Sequence, residues 1–215
     1  MLGEVFDPKA DLHIYEHCRP HWSQAGAVVF ITFRTADSIP RTVIEHWERQ
    51  KQDWLKRRGY GPGDSSLILK ELTEQERVEF NQEFHRCREM FLDTCHGRCL
   101  LKRQELGRIV AESLFHFDGQ RYRLGDFVVM PNHVHLLAAF PSAEGMKEQC
   151  DSWLHFTAFQ INKALGEKGK IWQQEPFDHL VRSIAQYEYL RQYIADNPRK
   201  AGLREGEYLY RRRPD

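Results

Sequence analysis

His133 and His135 stand one residue apart within Val128-Val129-Met130-Pro131-Asn132-His133-Val134-His135-Leu136-Leu137. Side chains at i and i+2 of a strand share a face, so the spacing predicts two imidazoles side by side. Strand faces in such apolar runs normally bury aliphatic groups. Paired imidazoles there lose water from several polar nitrogens, unless they line a cleft or hold a metal ion. The other reading is an ordinary strand pair, each ring with one nitrogen on backbone and one in water. Pro131-Asn132 separates two apolar runs and suits a tight turn. The segment therefore predicts a hairpin whose second strand opens His-Val-His.

A second chemical group lies near the end of the chain. Ile184, Tyr187, Leu190 and Ile194 recur at helical spacing and predict a core-facing stripe. Pro198 predicts that this helix stops at about Asn197. At about 100° per residue, Tyr193 lies roughly a quarter turn from the centre of that stripe. Tyr189 and Asn197, each four residues away, share its flank. A phenol and an amide so placed either project into one cleft or form a half-buried tyrosine with an asparagine cap. Tyr189 is expected to be partly buried.

Several motifs occur in order: Met130-Pro131-Asn132-His133-Val134-His135-Leu136-Leu137, Trp172-Gln173, Phe177-Asp178-His179-Leu180-Val181-Arg182, then Tyr193-Ile194, Asn197-Pro198 and Lys200-Ala201-Gly202-Leu203. Together they resemble the REP-associated tyrosine transposases, of the single-tyrosine branch of the HUH (His-hydrophobic-His) nucleases. The resemblance covers roughly residues 100–205 and a first strand at 27–34. It implies that His133 and His135 are metal ligands and Tyr193 the nucleophile. Asn197 is then the third protein ligand or a polar group at the metal. The implied chemistry is cleavage of single-stranded DNA at hairpin-associated sites, REP-like or at transposon ends, leaving a 5′-phosphotyrosine and a free 3′-hydroxyl. Asp178-His179 matches a family motif with a role in packing, hydrogen bonding near the site or DNA contact. Related proteins act as monomers or as homodimers that exchange tyrosine helices.

The residue types suit that chemistry. A phenol with a pKa near ~10 is a poor nucleophile at neutral pH without help. A divalent cation polarises the scissile phosphate and offsets charge on the leaving oxygen. Neutral nitrogen and oxygen ligands favour an exchangeable Mg²⁺ or Mn²⁺. A phosphotyrosine retains a phosphodiester bond, so a 3′-hydroxyl can reverse the step and transfer a strand. Two rival readings remain: a domesticated hairpin-binding protein that no longer cuts, and a metal-dependent hydrolase of a small substrate.

Composition bounds these readings. The 215 residues suffice for one domain with an elaboration. Lys plus Arg and Asp plus Glu number 31 each, so any DNA-binding surface must be local. The best candidates are Arg182, Arg199 and Lys200, the last two directly after the tyrosine helix. Arg191, Arg204 and Arg211-Arg212-Arg213 follow, the terminal run reading as a solvated tail. No segment reaches the ~20 apolar residues that span a bilayer, and no signal-peptide pattern opens the chain. With five cysteines, a disulfide scaffold is disfavoured and a cytoplasmic protein is expected. His85, Cys87, Cys95, His96 and Cys99 crowd together as zinc ligands would. Phe80, Phe84, Cys87 and Phe91 share helical spacing, however, which favours packing for Cys87.

The positioning elements are also readable. Strands are expected at 27–34, about 121–130, 133–140 and 177–182. Helices are expected from near Pro40, from a Thr73/Glu76 capping box to about Leu92, over 106–117, over 150–161, and through Tyr193. Without residues 40–100, the order is β-α-β-β-α-β-α. That is an α+β, ferredoxin-like split β-α-β plan with a central antiparallel sheet, an extra C-terminal helix carrying the tyrosine, and a helical insertion after the first strand. The single-tyrosine transposases share this plan. The insertion is expected to cover the sheet, contact DNA or mediate self-association.

Overall fold

The computed structural model describes residues 2–16, 20–61, 68, 71–174 and 176–214; the side chains of 14–16, 20–22, 81–82, 85–90 and 92–93 lie outside that description. The chain forms two compact units, one of residues 1–36 and 98–215, the other of residues 37–97.

In the larger unit, the hydrophobic runs form a five-stranded sheet. Its strands are β3 (Val28–Arg34), β4 (Arg123–Val129), β5 (His133–Ala139), β6 (Phe177–Leu180) and β7 (Leu209–Arg211). The spatial order is β6-β3-β5-β4-β7, with every neighbouring pair antiparallel. Two helices join the strands in the expected split β-α-β manner: α3 (Gln104–His116) precedes β4, and α4 (Ala143–Leu165) links β5 to β6. The fold is therefore the anticipated α+β plan, with β5 at the centre of the sheet. A separate two-stranded sheet, β1 (His13–Glu16) with β2 (Pro20–Ser23), was not foreseen, because such short polar strands carry little periodic signal.

Strand alternation sorts the sheet into two faces. Val29, Ile31 and Phe33 of β3, with Val134 and Leu136 of β5, enter the main core with Leu106, Val110 and Leu114 of α3. Met146, Trp153 and Ile161 of α4 complete that layer. Its two indoles are satisfied: Trp153 Nε1 donates to Ser113 O at 3.2 Å, and Trp172 Nε1 donates to Thr157 Oγ1 at 2.8 Å. Helix α5 (Ile184–Lys200) packs against β4 and β5. Ser183 caps its start, accepting from the Gln186 backbone N–H.

Three expectations change here. Pro198 lies inside α5, which runs on to Lys200. A proline's fixed φ is compatible with a helix, and Ala201 N and Leu203 N still bond back to Asn197 O and Pro198 O. Ile184, placed in the core stripe by spacing, is 62% exposed at the first helical residue, while Tyr187, Leu190 and Ile194 are buried. The basic terminal run is not a loose tail: β7 pairs with β4, and Arg213 N donates to Asp126 Oδ1 at 2.9 Å.

A register shift in β4 between Leu124 and Phe127 allows that last contact. Gly125 occupies the irregularity because a side chain there would meet the Leu137 carbonyl oxygen at 2.9 Å. Asp126, next to it, turns inward to pair with Arg191 of α5 at 3.1 Å, both nearly fully buried. Arg191 is thus a structural ion-pair member rather than part of a DNA surface.

In the smaller unit, α1 (Arg41–Arg57) begins after Pro40, and α2 covers Glu74–Asp93. Trp54, Leu55, Leu72 and Phe80 form its core, with Phe84 packed against them. The capping box forms as expected, Glu76 N donating to Thr73 Oγ1 and Thr73 N to Glu76 Oε2. Phe91 meets the Trp47 ring edge-on and stacks on His96. The side chains of His85 and Cys87 lie outside the described residues. Among the described residues, no group of three or more His, Cys, Asp or Glu side chains is placed to hold a metal.

Candidate metal and nucleophile site

The site is built on the face of the sheet opposite the main core. The turn after β4 is closed by Met130 N donating to His133 O at 2.8 Å, so β5 begins at His133. Two-residue alternation then puts His133 and His135 on one face, with ring centroids 4.6 Å apart. Both are fully buried. The adjoining strand β3 contributes to the same face. Thr32 lies opposite His135 in register and Arg34 opposite His133.

Each imidazole is oriented through Nδ1. His133 Nδ1 lies 2.8 Å from Asn132 Oδ1, and His135 Nδ1 lies 2.8 Å from Thr32 Oγ1. An amide oxygen only accepts, so His133 carries its proton on Nδ1 and presents a lone pair at Nε2. That Nε2 is buried and makes no hydrogen bond among the described residues. Burial pushes the His133 pKa down to about 3, the neighbouring Asn197 side chain opposing this and the nearby charge of Arg34 adding to it. Burial holds His135 well below the usual histidine range, with His133 adding to the effect. Two neutral imidazoles, each anchored at Nδ1, are the form in which histidine binds a metal.

Helix α5 brings the remaining groups. The Tyr193 hydroxyl is 3.5 Å from His135 Nε2, with ring centroids 5.3 Å apart. Phe30 of β3 supports this cluster, 5.2 Å from the His135 ring and 6.1 Å from the Tyr193 ring. Asn197, one turn beyond Tyr193, is fully buried beside His133. Lys200 places Nζ 4.9 Å from the centre of the Tyr193 ring. Tyr189 is not partly buried: it is 66% exposed and its ring stacks on Tyr193 at 6.5 Å. The flank shared by Tyr189, Tyr193 and Asn197 runs from solvent at Tyr189 to full burial at Asn197.

Other anticipated residues scatter. Arg199 is exposed near Lys200, with Asp196 at 3.6 Å. Arg182 precedes α5, whose first residue, Ile184, is about 13.5 Å along the axis from Tyr193 at 1.5 Å per residue. His179 faces the same side as His135 but lies across Phe30, 5.2 Å from that ring.

Sequence reasoning missed Thr32 and Arg34, and it read Asn132 only as a turn residue. Thr32 and Arg34 share an alternation inside the first strand that could have flagged them. Nothing local says which strand lies beside β5. Arg34 is 5% exposed and hydrogen-bonded to Gln173 Oε1, which gives the Trp172-Gln173 motif a structural purpose. Trp172 anchors its segment in the core and Gln173 reaches the site's edge.

As a donor set, His133, His135 and Asn197 fit a divalent cation of intermediate hardness. The buried Nε2 of His133 is an acceptor without a donor, and a cation would satisfy it.

No family model matches this chain, and no curated protein matches it. Among solved structures, that of a REP-associated tyrosine transposase bound to a REP hairpin is similar. It is 15% identical, with 85% of this chain and 72% of that chain covered and a TM-score of 0.43. Among the described residues, no helix is long and apolar enough to cross a membrane.

Proposed function

We propose that this chain is a divalent-cation-dependent single-stranded DNA endonuclease and strand transferase that cuts at hairpin-associated sites. One observation carries the reading: the Tyr193 hydroxyl, from the last helix, lies 3.5 Å from Nε2 of buried His135, whose ring is 4.6 Å from that of buried His133 on the same central strand. The hairpin substrate comes from the motif resemblance, not from the geometry.

In this scheme Tyr193 Oη attacks the scissile phosphorus, forming a 5′-phosphotyrosine. The bond from phosphorus to O3′ breaks, the phenol's proton passes to solvent, and the departing O3′ takes up a proton. His133, His135 and Asn197 would hold Mg²⁺ or Mn²⁺, which supplies charge for the phosphate and the leaving oxygen. Thr32 and Asn132 fix the imidazole orientations. Phe30 holds His135 and Tyr193 in a common wall, and Lys200 adds positive charge beside the nucleophile.

The test mixes protein, Mn²⁺ and labelled hairpin-bearing single strands, then looks for a denaturation-resistant adduct. Wild type forms it, and Tyr193→Phe and His135→Gln do not. An adduct that survives Tyr193→Phe removes the nucleophile assignment. Metal-independent hairpin binding without any adduct, across a broad hairpin library, would establish the non-cutting alternative. Cytoplasmic location and monomeric or homodimeric assembly are parts of the same proposal. Fractionation of cells and sedimentation of the purified protein test them.

A further inference from the structure

Resting on that functional reading, we infer that the Tyr189 ring is a stacking platform for the nucleobase on the 3′ side of the break, the one whose nucleotide becomes joined to Tyr193. At 66%, Tyr189 is the most exposed large apolar side chain among the described residues. A single exposed aromatic is ordinary; the position of this one is not. Its ring lies 6.5 Å from that of Tyr193 at an interplanar angle of 22°, within the range of aromatic pairs. The open ring therefore adjoins the nucleophile.

Its surroundings suit a polyanion. The residues one turn to either side of Tyr189 are Ala185, Gln186, Gln192 and Tyr193, all uncharged. The two carboxylates of α5 are engaged, Glu188 lying 3.7 Å from Arg191 and Asp196 3.6 Å from Arg199. Lys200, seven residues past Tyr193 and so on the same face, places Nζ 4.9 Å from the centre of the Tyr193 ring. One helix face thus presents two rings and then a cation, over about 16.5 Å at 1.5 Å per residue. Rings that stack bases, beside cations that track the backbone, are how proteins hold single strands.

The chemistry selects the base. Attacking and leaving oxygens lie roughly in line through the phosphorus, so O3′ and the strand 5′ of the break depart on the side away from the phenol. The nucleotide attached through O5′ stays with Tyr193 Oη and ends as the phosphotyrosyl ester. Its base is tethered to Tyr193 through that ester, and Tyr189 begins only about 6 Å along the helix axis. A stack there holds the same base before and after the break. The side carrying the 3′-hydroxyl can then exchange, while the joined end keeps its register for strand transfer.

The experiment follows binding of dye-labelled, hairpin-bearing single strands to the full chain by fluorescence anisotropy in Mn²⁺. Tyr193→Phe serves as the parent, so that nothing is cut, and the cut position is first read from the fragment that wild type releases. Adding Tyr189→Ala should weaken binding about ten-fold, within the roughly 5- to 150-fold that one base–aromatic stack is worth. Adding Tyr189→Phe or Tyr189→Trp should leave binding near that of the parent. Tyr189→Leu should lose as much as Tyr189→Ala, because a stack needs a ring rather than apolar bulk. An abasic site immediately 3′ of the cut should cost the parent the same factor and cost the Tyr189→Ala protein little more. Unchanged binding in Tyr189→Ala, full additivity of the two losses, or coupling to a different nucleotide would overturn the inference while leaving the functional reading intact. Failure of wild type to release a fragment from any hairpin would instead remove the functional reading itself.

Discussion

Lowering the pH from 7.5 to 5.0 should cost the metal-free protein about 4 kcal/mol of stability, through two side chains. His133 and His135 are fully buried and held neutral, their pKa values pushed below the ordinary 6.5 by desolvation. In the unfolded chain both return to about 6.5. The unfolded state therefore binds more protons below that value, and stability rises with pH. The contribution is fully present above about pH 6.5 and is lost as the pH falls from there toward the folded values. At pH 5.0, some 1.5 pH units below the unfolded pKa, each histidine contributes a loss of about 2 kcal/mol at 1.36 kcal/mol per unit. This figure holds as long as both rings remain neutral in the folded state at that pH. Against the total of ~5–15 kcal/mol typical of a domain, the pair's contribution is large. Urea unfolding in EDTA at the two pH values, followed by tryptophan fluorescence, measures it. The His133→Gln/His135→Gln variant should lose far less over the same interval. The reasoning is refuted if wild type loses under about 1 kcal/mol, or if the variant loses as much as wild type.

Mn²⁺ at about a hundred times its dissociation constant should stabilise wild type by ~2.7 kcal/mol. EDTA should remove the gain and His133→Gln/His135→Gln should never show it, both readable as shifts in the urea midpoint. Arg191→Met should destabilise by about 3–5 kcal/mol, because it leaves the Asp126 carboxylate buried without its guanidinium; equilibrium unfolding reports the cost. Thr73→Ala should lower the local stability of the α2 start by about 1 kcal/mol, seen as faster amide exchange at Glu76, whose N–H now bonds to the Thr73 hydroxyl.

Much of the fold was legible because its signals are local. Strand alternation alone put His133 and His135 on one face, and Pro131-Asn132 marked the turn before them. The Thr73/Glu76 pair announced its helix start through a motif four residues long. Local rules also misled. Pro198 reads as a stop, yet α5 absorbs it. Ile184 fits the apolar period but sits in the first turn, beyond the edge of the surface its helix covers. The run Arg211-Arg212-Arg213 has no apolar pattern, yet its start forms an edge strand and its end meets a carboxylate 87 residues away in sequence.

The order of residues was enough to mark His133, His135, Tyr193 and Asn197 as candidates and to give the local elements that present them, because periods of two and of about 3.6 are set by backbone geometry. Tertiary structure decided which of those residues meet. Strand order put β3 beside β5, and that pairing alone set Thr32 on His135 and Arg34 beside His133. The packing of α5 against the sheet brought Tyr193 to His135 and buried Asn197, while leaving Tyr189 in solvent. Such contacts join positions tens of residues apart and depend on how whole layers pack, information that no local period contains.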